Sequence, residues 1–406
     1  MCGYLQAARF GCFLFFFAPF LFPLTAACDE IGISKIQSDF NNLIKDYGID
    51  PELTVINDTV WNTRGGVRSG IVNLGQADLA VSLDTEKSLG LPGGTLYLDL
   101  FVLYGGHPTD YLGDVQGSDN IEAQTSAKIY ELWYEQSFLS SHSAVLFGYH
   151  DYNTDFYSVN FGQSLINPSF GIGADVVQAN PPNFPTTSLA IRAKVRPTER
   201  SYMLGGVYNG IPGDPSDQTG TDLNFNRHNG AFWAAEAGVI SAESDPPDQY
   251  YKAGIGGWYF DGDFEDYAGS RHNSNGGLYG VLENTLYSEP EDPSQLLGYF
   301  LQIGLAQQRP NQFGRYCGFG LSYTGIVPGR DRDVTSAGLA YAKNSQDYSA
   351  EYPALDDYAV VYELTYQIAL NEFLKVQPDL MWIHNPQNDP ALDDAFALIV
   401  RIEAAM

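Results

Sequence analysis

From Pro51 to the C-terminus, apolar and polar side chains alternate with a period of two. The alternation runs in segments of roughly ten residues, with turn-rich stretches between them. In a β-strand, successive side chains point to opposite faces, so each segment would have one apolar face and one polar face. Roughly ten residues is also the length of a tilted strand that crosses a bilayer. The pattern therefore predicts antiparallel β structure, either as a soluble sandwich or as a membrane barrel.

Sixteen alternating segments can be counted along the chain. An even number is typical of a closed transmembrane barrel of antiparallel strands. The predicted strands are residues 53–62, 70–84, 93–104, 127–138, 143–151, 187–196, 201–209, 231–241, 250–261, 275–288, 296–308, 314–327, 334–342, 357–370, 373–384 and 394–404.

The stretch KIYELWYEQSF, residues 128–138, illustrates the two predicted faces. In a soluble sandwich, the polar faces would be broad and rich in Lys, Glu and Thr. Here the polar faces are narrow and mix Gly with single charges, and aromatic residues gather near the strand ends. This favours a barrel whose apolar side faces lipid between aromatic girdles. The predicted lipid face of this stretch carries Tyr130, Leu132, Tyr134, Gln136 and Phe138.

The charge balance restricts the partners of the protein. Lys and Arg number 21 against 49 Asp and Glu, so the formal net charge is −28 at pH 7. A chain with no basic surface cannot displace counterions from phosphates, which argues against nucleic acid. An acidic excess suits soluble loops of a secreted or envelope protein.

The N-terminus differs from the rest of the chain. Residues 1–27 resemble a secretory signal peptide, because Arg9 precedes an apolar run that small residues close at 25–27. That run is shorter than the 18 or so residues expected of a spanning helix. Residues 28–50 show helix-like spacing and are predicted to form a helical segment, either a periplasmic tail or a partial plug. Residues 51–406 are predicted to form the transmembrane barrel domain.

The cysteines and histidines indicate no metal site or other cofactor. Cys28 follows the predicted cleavage site, so it is either a lipid-attachment residue or part of an ordinary signal-peptidase site. Cys317 lies in an apolar strand pattern and is interpreted as a packed residue. Neither the cysteines nor the six scattered histidines show the spacing of metal ligands.

Motifs of the common enzyme classes are absent from the sequence. It contains no G-x-S-x-G elbow, no H-E-x-x-H and no phosphate-binding loop. No Ser/His pair with an orienting third group can be named. We therefore expect no enzymatic activity.

Several phrases, taken in order, resemble the carbohydrate-selective porins of the OprB type. The cluster LPGGTLYLDL, GDVQGSDNIEA and ELWYEQSF is specific as a set, and the resemblance covers nearly all of the chain beyond residue 50. It implies a sixteen-stranded barrel of the bacterial outer membrane that passes small solutes, sugars in particular, by passive diffusion. Further matching phrases are GYHDYNTDF, INPSFG, FPTTSLAIRAKVRPT, GVYNGIPGDP, YYKAGIGGWYF, PGRDRD and VQPDLMWIHNP.

The resemblance also implies partners, and the chain departs from it at two places. The implied partners are small carbohydrates, outer-membrane lipids and lipopolysaccharide, and a homo-oligomer is compatible with it. The chain ends in RIEAAM, whereas outer-membrane barrels commonly end in an aromatic residue that serves as an assembly signal. Tyr149 and His150 stand where relatives often carry Gln or Asn, so solute choice can differ.

The predicted lumen faces supply the candidate solute-contacting residues. A neutral sugar loses hydration in a constriction, so the wall must offer hydrogen-bonding groups, and charged groups form the stronger bonds. Aromatic rings offer a flat surface to the C–H face of a pyranose. Our hypothesis is an arginine–lysine ladder that faces glutamates across a waist, with tryptophans as sliding surfaces: Glu131, Trp133, Glu135, Arg192, Lys194, Arg196, Glu236, Lys252, Trp258 and Glu283.

Other interpretations of these residues and of the whole chain stay open. Inward charges in a large barrel also pair across strands or anchor an inward-folded loop. The same barrel could carry amino acids or ions, or it could be a closed structural envelope protein. A soluble β-rich glycan-binding protein is the remaining alternative.

Overall fold

The computed structural model describes residues 44–138, 142–210 and 230–406. Sixteen antiparallel strands form one closed barrel, in which each strand pairs with its neighbours in sequence and the last strand pairs with the first. The strands, β1 to β16, are Ile49–Arg64, Gly70–Asp84, Gly94–Gly105, Ser126–Phe138, Ser143–His150, Ser188–Thr198, Ser201–Asn209, Ala231–Ile240, Tyr251–Glu265, Arg271–Ser288, Leu296–Ala306, Phe313–Thr324, Val334–Asn344, Tyr358–Ala369, Leu374–His384 and Ala395–Ala405.

All sixteen predicted strands are confirmed, and the differences concern their ends. Strand β1 begins at Ile49, so it includes the last two residues of the predicted helical segment 28–50. Residues 44–46 are helical. Residues 1–43 lie outside the described residues, and they include the predicted signal peptide, Cys28 and the first part of the predicted helical segment. Strands β9 and β10 extend past the predicted bounds to Glu265 and back to Arg271. None of the helices among the described residues is long and apolar enough to cross a membrane.

The two faces of the strands lie as the alternation predicts. In β14, Leu364 is 49% exposed on the outside, whereas Glu363 is 3% exposed on the inside. In β15, Leu380 lies outside with 51% exposure, and Asp379 lies inside with 2%. The outer surface is thus a continuous apolar band of the kind that faces hydrocarbon, and the polar face borders the interior.

One predicted face assignment is wrong, because a β-bulge changes the alternation within β4. Asp99 pairs with Glu131 but Leu100 pairs with Ile129, which leaves Tyr130 as an extra residue. Tyr130 therefore points into the barrel, where its ring stacks on Phe101 with centroids 4.1 Å apart. A single extra residue reverses the alternation on one side of the bulge relative to the other. From Glu131 onward the side chains keep the predicted orientation, and the difference begins at Tyr130.

The connections at the two ends of the barrel differ in length. At one end the turns are short, such as residues 199–200 and 370–373. At the other end, residues 106–125 join β3 to β4 and residues 151–187 join β5 to β6. In bacterial barrels, short turns face the periplasm and long loops face the outside. These two described connections therefore lie at the external mouth.

The connection at residues 151–187, here called the inner loop, folds into the barrel. It contains the short helices α3 (Tyr152–Asp155) and α4 (Ala174–Val177) and a 3₁₀ turn, Pro168–Phe170. The other short α-helices numbered among the described residues are α1 (Thr85–Leu89), α2 (Thr109–Leu112) and α5 (Gln346–Glu351). The interior core of the barrel is formed where this loop meets the wall.

Aromatic side chains and wall glycines fit the inner loop against the barrel. Tyr152 packs edge-on against Phe232 of β8 at 5.0 Å, and Phe170 against Phe300 of β11 at 6.0 Å. A Cβ atom at Gly304 would lie 2.1 Å from the carboxyl of Asp175. Glycine is thus needed in the wall where the loop presses closest to the backbone.

Candidate functional site

The inner loop is held by a series of side chains from the barrel wall. At its start, Glu131 of β4 accepts the backbone N–H of Asp151 at 2.7 Å. One helical turn later, Arg192 of β6 donates from Nε to Asp155 at 2.6 Å. The four residue steps from Asp151 to Asp155 span about 6 Å in a helix, so Glu131 and Arg192 lie close together in the lumen.

The series continues along β8, β9 and β10. Glu236 accepts the backbone N–H of Tyr157 at 2.9 Å. Lys252 donates to the carbonyl oxygen of Ser158 at 2.7 Å, and Glu283 accepts the N–H of Phe161 at 2.8 Å. The sequence placed these wall residues on the lumen face. The structure shows that they hold the loop backbone, a role that the sequence analysis left open.

Four further anchors follow on β11, β13, β14 and β15. Glu363 accepts the backbone N–H groups of residues 166 and 167, and Gln377 donates to the carbonyl of Ser164 at 2.7 Å. Ser164 also shares a hydrogen bond with Ser336 at 2.6 Å, and Gln302 donates to residue 157 at 3.1 Å. The alternation already placed Glu363 and Gln377 on the inner face, but nothing in the sequence indicated their loop partners.

Arg192 is the centre of an ion cluster at the edge of the loop. Its guanidinium lies 2.7 Å from Glu135 and 2.6 Å from Asp155. His150, which the sequence analysis noted as a departure, lies 3.3 Å from the same Asp155 carboxylate. The positive charge of Arg192 is thus matched by two carboxylates on the same side of the lumen. It does not face glutamates across a waist.

The electrostatics of this cluster keep Asp155 ionised. Burial alone would raise the pKa of its carboxyl, but the hydrogen bond from His150 and the charge of Arg192 outweigh burial and hold the pKa at about 2. The ion pair between Asp155 and Arg192 therefore persists at every physiological pH.

The two predicted tryptophans have different surroundings. Trp133 is half-buried on the lumen face and stacks on Tyr97 of β3, with centroids 4.8 Å apart and an angle of 22°. Tyr97 was missed by the sequence analysis, although its position opposite Trp133 follows from the strand register. Trp258 also points inward but is 3% exposed beneath Phe232, so its ring has little surface left for a solute.

The remaining two basic candidates lie toward the short-turn end of β6. Lys194 is exposed. Arg196 forms an ion pair with Glu243 at 2.6 Å and donates to the carbonyl of Glu199. Arg196 thus belongs to the periplasmic rim. The stacking of Trp133 on Tyr97 and the ion pair of Arg192 with Glu135 form a separate level of the lumen.

A cavity of about 600 Å³ lies on the outer side of this level. The inner loop lines it together with the β3–β4 connection, which itself docks on the wall. There Arg401 of β16 bonds to Asp58 at 2.6 Å and reaches the side chain of Asn120 at 2.7 Å. The long loops thus narrow the bore but leave this cavity between them.

Two loop carboxyls are buried enough to change their protonation. Burial raises the pKa of Asp175 to about 7, against a hydrogen bond from Tyr157 that lowers it. Burial also raises the pKa of Asp114 to about 7, against bonds from Gln116 and Asn167. Both carboxyls therefore titrate near neutral pH.

Comparisons with known proteins agree with this architecture. The model of the family described as carbohydrate-selective porin, OprB family, matches residues 68–406. Porin B of Pseudomonas aeruginosa is 21% identical over 402 residues, which cover 88% of this chain and 87% of that protein.

Solved structures show the same fold. The high pH structure of Pseudomonas putida OprB superposes with a TM-score of 0.83 at 19% identity, covering 91% of this chain and 97% of the other. The low pH structure of the same porin gives a TM-score of 0.60 at 16% identity, covering 91% and 96%. The outer membrane channel DcaP of Acinetobacter baumannii gives 0.56 at 9% identity, covering 88% and 97%.

Proposed function

The chain belongs to the OprB family of carbohydrate-selective porins, and from this premise we propose how its barrel passes small sugars across the bacterial outer membrane. Diffusion is passive, and the solute moves along the surface of the inner loop. The observation that supports this most directly is the series of wall side chains that fixes the inner loop inside the barrel. A fixed loop sets a narrow passage of constant shape.

The contacts of the ten candidate residues separate them into groups with different proposed roles. Five of them are occupied with the loop backbone or its helix α3, and they act by setting the width of the passage: Glu131, Arg192, Glu236, Lys252 and Glu283. Trp133, Glu135 and Lys194 keep surface toward the bore and would contact solute directly. Trp258 and Arg196 would then support the wall and the periplasmic rim.

The Trp133–Tyr97 pair suits a sugar. Pyranose rings place C–H groups on a face that packs on aromatic surfaces, and their hydroxyls bond to flanking ions. Glu135 lies one inward position from Trp133 on the same strand, and Asp99 and Glu131 form the next cross-strand pair on the other side. The aromatic pair thus lies between carboxylates, as a neutral, hydroxyl-rich solute requires.

Ions and amino acids are the alternative solutes of the same barrel. The neutralisation of Arg192 by two carboxylates removes one of the basic groups that would have favoured anions. Family and fold together indicate a channel rather than an enzyme. We propose that no catalytic activity accompanies transport.

We further propose how the protein is processed and embedded. Residues 1–27 would be removed as a signal peptide, and the segment 28–50 would lie on the periplasmic side, with its last two residues in β1. The apolar outer band would contact membrane lipid, and the acidic external loops would bind divalent cations among lipopolysaccharide. Mass spectrometry of the mature chain tests the cleavage directly, since it gives both the new N-terminus and any lipid on Cys28.

A homo-oligomer would form on the outer face of β1 and β2. Asn57 and Asn73 face outward there, and Asn73 bonds to Thr59 at 2.6 Å. They lie between apolar pairs, with Trp61 and Ile71 on one side. Asn57 also donates to the carbonyl oxygen of Leu74 at 3.1 Å, but polar amides on a lipid-facing surface remain costly unless a partner covers them.

Cysteine cross-linking tests this oligomer face. In native membranes, Asn73→Cys should form disulfide-linked dimers. The control is Ile255→Cys in β9, whose native side chain is 76% exposed on the outer face and which does not pair with the strand of Cys317; it should form no dimers. Equal cross-linking of the two variants would contradict the assignment of this face.

Liposome swelling tests the transport function. Proteoliposomes diluted into glucose should swell at a rate that rises with the amount of porin, and larger oligosaccharides should enter more slowly because the loop restricts the passage. The absence of solute-dependent swelling would instead indicate a closed structural barrel.

A further inference from the structure

The cavity between the two long loops contains hydrogen-bonding groups that the fold does not use. The amides of Gln124, Gln163 and Asn183 line it, and within the described residues none of these side chains bonds to another protein group. Gln124 comes from the β3–β4 connection, and the other two come from separate parts of the inner loop. Three neutral amides from three segments thus converge on one space without a partner.

Most charged groups at this cavity are paired. Glu122 accepts bonds from Thr109 and lies 3.6 Å from His107, and Asp151 accepts from Asn153 at 2.6 Å. Asp119 accepts from the backbone of Ile121, but its second carboxyl oxygen is buried without a partner among the described residues. Within the described part of the chain, neither Lys nor Arg lines the cavity. The free groups are thus this carboxyl oxygen and the neutral amides, and each amide can both donate to and accept from a hydroxyl group.

An aromatic ring completes the lining. Phe184 is half-buried at the cavity and is held by tilted contacts with Phe101 at 6.0 Å and Tyr130 at 6.3 Å. Tyr130 faces inward only because of the bulge in β4. A fixed ring beside free amides is suited to a molecule with both C–H and O–H groups. A volume of about 600 Å³ also lies within the range of small-molecule sites.

We propose that this cavity is an external entry site for a neutral mono- or disaccharide, occupied before the solute reaches Trp133. The inference rests on the proposed sugar transport and adds to it a binding step on the outer side. Gln124, Gln163 and Asn183 bind the hydroxyls, and Phe184 contacts the C–H face. Because no described Lys or Arg lines the cavity and His107 lies against the carboxyl of Glu122, the site favours a neutral sugar over its carboxylate analogue.

Side-specific current block tests the site. Single channels of known orientation in planar bilayers are titrated with glucose on the external side, and the half-blocking concentration is measured. Each of the single variants should raise this half-blocking concentration roughly three- to tenfold, which is the effect of one lost hydrogen bond. The variants are Gln124→Ala, Gln163→Ala and Asn183→Ala. The matched control is Gln249→Ala, an exposed amide in the β8–β9 turn at the periplasmic end. It should leave the concentration unchanged.

The outcomes separate the entry site from the transport function. Gluconate should block from the external side more weakly than glucose. The triple variant combines Gln124→Ala, Gln163→Ala and Asn183→Ala. If glucose blocks this variant at the wild-type concentration, or if gluconate blocks the wild type as strongly as glucose does, the entry site is wrong while transport stands. If wild-type protein passes no glucose in liposome swelling, the transport function fails and the entry site fails with it. Open-channel conductance of the triple variant, close to wild type, shows that the barrel is folded.

Discussion

Glu236 shows how a single side chain can join the barrel wall to the inner loop. Its carboxylate accepts the backbone N–H of Tyr157, the hydroxyl of Tyr202 at 2.7 Å and the hydroxyl of Tyr279 at 2.8 Å. Three donors from the loop and from two strands thus share one buried acceptor. Removing that acceptor leaves each donor without a partner in a place that water reaches poorly.

Substitution of Glu236 tests its role as an anchor. Glu236→Ala should weaken docking of the loop by about 1–3 kcal/mol, the cost of an unsatisfied buried donor. Conductance should rise and glucose block should weaken. Glu236→Gln keeps one acceptor oxygen and should give an intermediate result. Unchanged conductance in a folded Ala variant would show that Glu236 does not restrain the loop.

Asp175 makes loop docking dependent on pH. Its pKa is raised by burial to about 7 from an ordinary value of 3.8, so the docked loop keeps a proton that an undocked loop would release. Docking must therefore weaken as pH rises from about 4 to 7 and stay constant above that. The pKa of Asp114 is raised in the same direction and adds to the effect.

The noise of the open-channel current measures this dependence. Wild-type channels should be noisier at pH 8 than at pH 5, because the loop is held less firmly. Asp175→Asn, which cannot ionise, should reduce the difference, whereas Asp248→Asn in an exposed turn should preserve it. If the Asp175→Asn variant keeps the full wild-type difference in current noise between pH 5 and pH 8, Asp175 is not the source of the pH dependence.

At the level of elements, strands could be predicted from sequence and the bulge could not. Alternation is a local property, so the two faces of a strand can be predicted from its own residues without knowing which strands it pairs with. The bulge at Tyr130 is a property of pairing between β3 and β4, and the alternating pattern runs through it unchanged. The apolar ring of Tyr130 is compatible with lipid as well as with the interior, so the residue type does not indicate which face it occupies.

The inner loop was beyond sequence reasoning for a related reason. Its contacts join residues far apart in the chain, such as Tyr157 with Glu236 and Ile166 with Glu363. The inward charges indicated that either a solute or a loop had to be bound. Choosing between them required the path of the loop, which the spacing of residues does not encode.

A designed disulfide tests whether the loop stays docked while the channel conducts. Ser164 of the loop and Ser336 of β13 already lie with hydroxyl oxygens 2.6 Å apart, close enough for a disulfide in Ser164→Cys/Ser336→Cys. Oxidation should leave conductance and glucose block unchanged, because it fixes a contact that already exists. A conductance that falls on oxidation and recovers on reduction would show that the loop must leave the wall for solute to pass.

For the whole molecule, one physical arrangement connects fold and transport. An apolar outer band holds the barrel in the membrane, and a polar interior holds a loop that narrows it. The interior charges are largely neutralised by one another or by loop backbone groups. The passage is thus polar enough to replace the hydration of a sugar without strongly favouring ions of one sign.

Competition between solutes in planar bilayers tests this account most directly. Purified protein is reconstituted, and the ion current is recorded while glucose or arginine is added at equal concentrations. The account predicts a saturable fall in current with glucose and little change with arginine, because the binding groups suit a neutral hydroxylated ring. A current that arginine reduces and glucose does not would contradict it.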